Sequence, residues 1–179
     1  MVEILGNNPV STTTDQNGNL QLAVPLLQEL VLHVADAPGY YGQVIVRTLT
    51  PANASRALDL DLLPDAELDD SAAALGLNVD LTKGVVQVEF TGSNLIGTEG
   101  ASLGAQSAAP ITFVGGNSVY SDTIMNTSNG VLFFYNVAIG TTTVTPKNAA
   151  TNTCTRNATS LTQFPVFAHT LISVGITCR

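Results

Sequence analysis

Thr12-Thr13-Thr14-Asp15-Gln16-Asn17-Gly18-Asn19-Leu20-Gln21-Leu22-Ala23-Val24-Pro25 reads as two short strands about a tight turn. The threonines at its start are β-branched and favour extended backbone. Asn17-Gly18 suits the positive φ values of a type I′ hairpin turn. Beyond it Leu20, Leu22 and Val24 alternate with Gln21 and Ala23, the period of a strand with one buried face. Pro25 stops the strand, because proline cannot donate to a ladder.

Working outward, the same texture continues. Strands are expected at Leu30–Ala35, Gln43–Thr48 and Ala57–Leu62, with a turn at Asp36-Ala37-Pro38-Gly39-Tyr40. Further on, strands are expected at Gly84–Phe90, Ile111–Val114, Tyr120–Asn126, Val131–Val137 and Thr141–Thr145, then near Cys154 and over His169–Cys178. Turns are expected at Gly115-Gly116-Asn117, Asn129-Gly130 and Ala138-Ile139-Gly140, and Gly92–Gly104 reads as a loop. Turn signals every 8–12 residues or so are the mark of a sandwich or barrel. One stretch differs. Leu63 to Gly76 has a proline in its first turn, acids near its N-terminal end and a glycine at its end, so it reads as a helix with Leu68, Ala72 and Leu75 on one face. The expectation is an all-β chain: a first sandwich at 1–62, a helical connector at 63–80 and a second sandwich at 81–179. The two halves echo each other loosely, since Thr123 to Val137 repeats the order of Thr-bearing strand, Asn-Gly and strand.

At these residues the chain resembles the bacterial carboxypeptidase regulatory-like domains, the transthyretin-like (prealbumin-like) Greek-key, Ig-like sandwiches. Their pattern T-T-D-x-x-G-x-F-x-L-x-V-P followed by V-x-L-x-V-x-x-x-G-Y is met by Thr13-Thr14-Asp15, Gly18, Leu20, Leu22, Val24-Pro25, then Val31, Leu32, Val34 and Gly39-Tyr40. A second copy is met by Lys83-Gly84-Val85-Val86-Gln87-Val88, then Gly130-Val131, Phe134, Asn136-Val137, Gly140 and Thr142–Thr145. The first copy lacks the family's opening strand, little preceding Val2. These motifs specify architecture, and the resemblance implies a non-catalytic module.

Composition narrows the function classes. The 179 residues are 45% hydrophobic and only 11% charged, with net charge −8. The charge is uneven: residues 1–80 carry −9 and residues 81–179 carry +1. No basic stripe is present to neutralise phosphates, which argues against nucleic acid, and anionic membrane surfaces are disfavoured likewise. No apolar run reaches the ~20 residues of a membrane helix, so no membrane insertion is expected. Met1-Val2-Glu3-Ile4-Leu5 has no basic n-region or apolar core, so a secreted chain of this sequence is a mature form or an excised piece.

Cys154 and Cys178 are too far apart for a redox CxxC motif and too few for a zinc site. Two readings remain: a disulfide between two strand ends, or two buried thiols of a cytosolic protein. The disulfide is the expectation, and it places the chain outside the cytosol.

No catalytic residue is expected. His33 and His169 each sit in a strand-like run, and no HExxH, GxSxG, Walker or Rossmann pattern occurs. No metal and no cofactor is assigned, although the acids Asp59, Asp61, Asp65, Glu67, Asp69 and Asp70 leave calcium open against a helix start solvated by water. The sequons at Asn53, Asn126 and Asn157 match the glycosylation pattern, but such matches arise by chance in a chain this rich in Thr and Asn. Tyr40 and Tyr41, beside a Pro-Gly turn, are the candidate ligand-binding residues. The expected function is a structural or interaction module of a secreted or cell-surface bacterial protein. It contacts protein partners, or copies of itself, through sheet edges. A carbohydrate- or peptide-binding module is the first alternative, and an accessory domain of a larger secreted enzyme is the second.

Overall fold

A computed structural model of the chain describes residues 1–5, 10–23, 29–48, 62–92, 95, 100–125, 129–147, 153–157 and 163–179. Its centre is the apolar alternation at Gly84–Thr91 (β6), Asn129–Val137 (β10) and Thr170–Cys178 (β15). β6 pairs antiparallel with β10 and parallel with β15, so the three lie side by side. Beyond β15 come Tyr40–Thr48 (β4), Glu29–Val34 (β3), Val2–Leu5 (β1) and Val10–Thr12 (β2). Beyond β10 come Ile111–Val114 (β8) and Asn117–Tyr120 (β9). Among the described residues the sheet thus runs β2-β1-β3-β4-β15-β6-β10-β8-β9, with Leu63–Pro64 (β5) on β4 and Cys154–Arg156 (β13) on β15. Two small ladders lie apart from it: Gly100–Leu103 (β7) with Val144–Lys147 (β12), and Gly140–Thr142 (β11) with Phe164–Val166 (β14).

The strand period of two decides what each face meets. Val86, Val88 and Phe90 of β6, Leu132 and Phe134 of β10, and Ile172, Val174 and Ile176 of β15 join one buried cluster. Ala101, Val144, Phe164 and Val166 from the small ladders close over it, giving two packed β layers. The alternate residues Val85, Tyr135 and Leu171 belong to a second cluster with Tyr41 and Ile111. Its cover is the one helix among the described residues, Asp65–Ala73 (α1), through Leu68 and Ala72. Both faces of the sheet's centre are therefore covered, which is why these strands read as nearly continuous apolar runs.

The structure is all-β, with one short helix among the described residues, as the turn spacing led one to expect. Cys154 and Cys178 stand directly opposite across β13 and β15 and are joined as a disulfide. Helix α1 lies within the stretch expected for it, but it is more than a spacer. It packs on the sheet between residues from both sides of the expected connector. The parallel register Thr170↔Gly42, Leu171↔Gln43, Ile172↔Val44 carries backbone pairing from residues 40–48 into the 170–178 strand. The boundaries expected at 62/63 and 80/81 therefore open no gap in the sheet.

Several local expectations are corrected. Residues 20–23 are not a strand, and β2 pairs with β1 instead. Ahead of residues 20–23, Asp15 accepts from the backbone N–H groups of Asn17 and Asn19 and closes the turn on itself. Val2–Leu5, not anticipated as a strand, pairs with both β2 and β3. Asn129 and Gly130 open β10 rather than reversing the chain. Gly130 is a packing glycine, since a Cβ there would collide with the Ile124 side chain. The strand expected at Tyr120–Asn126 ends at Tyr120, and the expected loop after Gly92 contains β7. Residues 57–61 of the strand expected at Ala57–Leu62 lie outside the described residues.

Candidate functional site

Consecutive strand residues point to opposite faces, so Tyr40 and Tyr41 cannot act as one exposed pair. Tyr40 is 43% exposed, whereas Tyr41 has no exposed surface. Tyr41 lies under α1, and its hydroxyl donates to Asp69 Oδ1 at 2.8 Å. As folded it offers no surface to a ligand, which leaves Tyr40 as the accessible member. The neighbouring Gly42 is required by space. A Cβ there would stand 2.7 Å from the Val34 carbonyl oxygen and 2.8 Å from the Asp36 backbone nitrogen.

What gathers around Tyr41 is a cluster of acids and a histidine. His169, just ahead of β15, meets Tyr41 edge-on with ring centroids 4.6 Å apart. Its Nδ1 lies 3.0 Å from Asp36 Oδ2, and its Nε2 lies 2.8 Å from Asp65 Oδ1. Asp36 comes from the β3–β4 turn and Asp65 is the first residue of α1. Burial by itself opposes the charged imidazole, but the hydrogen bonds to Asp36 and Asp65 and their negative charges outweigh it. The His169 pKa is raised above the ordinary histidine value. The Tyr41 hydroxyl is pushed above the usual tyrosine range, first by burial and then by its hydrogen bond to Asp69. Tyr135 is pushed up by burial and by the charge of Asp69, and its hydroxyl donates to the Leu68 carbonyl at 2.7 Å.

These contacts fasten α1. Tyr41 holds Asp69, Tyr135 holds the Leu68 carbonyl, and His169 holds Asp65. A bulge in β10 extends the fastening. Asn136 there has φ +54, and its side-chain amide accepts from the Asp80 N–H and donates to the Asn78 carbonyl. A second histidine lies on the opposite face. His33 Nδ1 is 2.7 Å from Glu3 Oε1, its register partner across β1 and β3, and its ring stacks on Phe167 at 4.1 Å.

A general base needs a nitrogen free to face a substrate. Both His169 nitrogens are engaged by carboxylates. Among the described residues no group of three or more His, Cys, Asp or Glu is arranged to hold a metal ion. Of the acids considered for calcium, Asp65 and Asp69 face His169 and Tyr41, Glu67 and Asp70 are turned to or near solvent, and Asp59 and Asp61 lie outside the described residues. Asn157 accepts from the Thr177 hydroxyl at 2.5 Å, which turns its amide inward; Asn53 and Asn126 lie outside the described residues. Among the described residues no helix is long and apolar enough to cross a membrane.

A second feature is the pair of sheet edges, each open among the described residues. β9 ends the sheet on one side and β2 on the other. In β8–β9 the Ser121 N–H donates to the Pro110 carbonyl, so alternation turns the backbone groups of Ser118 and Tyr120 outward. Val114 and Tyr120 beside that edge are 42% and 48% exposed, and Val10 of β2 is 45% exposed.

The His169 cluster was not legible in the sequence, because its members lie 133 and 104 residues from His169. The chain matches no family model, no curated protein and no solved structure.

Proposed function

We propose that this chain is a non-catalytic structural or interaction module of a secreted or cell-surface bacterial protein, related to the carboxypeptidase regulatory-like domains and contacting other protein through its sheet edges. The observation that carries this reading is the open β9 edge. Ser118 and Tyr120 turn unused backbone donors and acceptors outward beside exposed Val114 and Tyr120, the arrangement onto which a further strand adds. The disulfide supports an oxidising compartment. The engagement of both His169 nitrogens supports a non-catalytic role.

The test is light scattering coupled to size exclusion on the oxidised chain over a range of concentrations. Association that grows with concentration, and is lost in Ser118→Pro, is the expected result. Proline there removes an outward N–H that the chain's own ladder does not use. A monomer at every concentration overturns edge-mediated self-association and favours a spacer or a small-ligand binder. Exposed Tyr40 supports the second reading, a carbohydrate- or peptide-binding module. Glycan-array binding lost in Tyr40→Ala would establish it.

The finer architecture belongs to the same proposal. The two Greek-key sandwiches, 1–62 and 81–179, would unfold in two transitions if independent and in one if coupled. The β4–β15 ladder and the shared cluster under α1 favour one.

A further inference from the structure

The backbone of β15 enters the sheet at His169. The residue has φ +49, a left-handed conformation uncommon outside glycine and kept only where the surroundings hold it. Its N–H donates to the Lys83 carbonyl and its carbonyl accepts from the Gly42 N–H, each bond linking β15's entry to a different part of the chain. The parallel pairing with β4 begins at the next residue and spans Thr170, Leu171 and Ile172. The imidazole sits at the same point, with a carboxylate on each nitrogen: Asp36 from the β3–β4 turn and Asp65 from α1. Its side chain is only 13% exposed.

The charges facing it are one-sided. Asp36 stands on the β3–β4 turn, Asp65 and Asp69 on α1, and the neutral Tyr41 on β4 with its hydroxyl on Asp69. Lys83, whose carbonyl receives the His169 N–H, ion-pairs with Asp80. Protonated, His169 is a cation placed between Asp36 and Asp65. An imidazolium donates from both nitrogens at once, whereas the neutral ring has one N–H and must turn a lone pair toward one carboxylate. The fit of the site and its protonation are therefore one event.

We propose that His169 is a pH-operated clasp: protonated, it ties the start of β15 to the β3–β4 turn and to the first turn of α1; deprotonated, it releases one carboxylate and loosens the joint between β15, β4 and α1. The direction follows from linkage. The folded pKa is raised, so the clasp is fully closed below the unfolded histidine value of about 6.5 and is lost as pH rises through the folded value. The loosening is local, because the disulfide at the far end of β15 and the β15–β6 pairing are independent of this charge.

The experiment is an NMR titration of the full oxidised chain. It follows the His169 ring signals and, in parallel, the exchange protection of the Gly42 amide, corrected for intrinsic rates. In the wild type the His169 midpoint lies above 6.5, and Gly42 protection falls severalfold between pH 6 and 9. In Asp36→Asn/Asp65→Asn the midpoint drops and the pH dependence of Gly42 disappears. His169→Gln gives a flat profile as well; should it fail to fold, Asp36→Asn alone, with a lowered midpoint and a shallower slope, carries the same test. A His169 midpoint at or below 6.5, or Gly42 protection indifferent to pH in the wild type, overturns the proposal. So does an undiminished pH dependence in the double variant.

Discussion

Tyr41 and Gly42 show how much rests on single positions at the joint between β4 and α1. Tyr41→Phe keeps the buried ring and deletes the hydroxyl that donates to Asp69. The expected loss is about 1 kcal/mol of stability in urea unfolding, since the partner carboxylate is part-exposed and recovers water. Tyr40→Ala, on the exposed side of the same strand, is expected to stay within about 0.5 kcal/mol. A similar cost at both tyrosines would contradict their opposite orientations. Gly42→Ala forces a methyl group against the Val34 carbonyl and the Asp36 backbone nitrogen, and backbone cannot yield as a flexible side chain does. A loss of about 1–3 kcal/mol is expected, at the upper end if Asp36 is displaced from His169. Calorimetry of the three variants orders them: Gly42→Ala worst, Tyr41→Phe next, Tyr40→Ala near wild type.

Among the elements, α1 is the one whose attachment is least obvious from its own residues. A nine-residue helix is too short to persist alone in water. Pro64 supplies no side-chain cap, and one of its free N-terminal amides, that of Asp65, is met by the Gly39 carbonyl. Its stability comes from Leu68 and Ala72 on the sheet and from the Tyr41, Tyr135 and His169 contacts. Leu68→Ala is therefore expected to cost about 2–4 kcal/mol and to expose α1 to early proteolysis. Loss of stability with α1 still protected would mean that the polar contacts alone hold it. The pairing of β13 with β15 has a covalent counterpart. Reducing Cys154–Cys178, which are 24 residues apart, is expected to cost about 3 kcal/mol in the chain-entropy account, read as a shift in denaturation midpoint.

For the whole molecule the question is whether the segments before and after residue 80 unfold together. Residues 1–80 carry −9 and residues 81–179 carry +1, and the β4–β15 ladder and the α1 cluster join described residues of both stretches. One cooperative calorimetric transition is expected, with an apparent midpoint that falls from pH 6 toward pH 9 as His169 loses its proton. Two transitions would show two independent sandwiches. A single transition whose midpoint is the same in wild type and His169→Gln across that range would separate cooperativity from the clasp. Self-repulsion also grows with pH in an acidic chain, so the comparison with His169→Gln, not the wild-type slope, is the measurement.

Short-range patterns were enough for what depends on neighbours in the chain. Strand alternation at Val85–Phe90 and Leu132–Tyr135, the proline-led and acid-rich start of α1, and the disulfide partners were all legible, because each is a matter of period, local charge or simple pairing. The placement of Asn129-Gly130 was not: the dipeptide suits a turn, and only the pairing with Thr91 and Phe90 of β6, formed by the fold, makes it strand. Nor was the burial of Tyr41 beside exposed Tyr40, since alternation says that one points inward but not which. The His169 site lay furthest from view. Its carboxylates come from a turn and a helix start far along the chain, and no spacing links them to the histidine. The parallel entry of β15 beside β4 brings them within hydrogen-bond distance, so the sequence by itself determined the central strands of the sheet, and the tertiary structure alone decided the edge pairings and which charges meet.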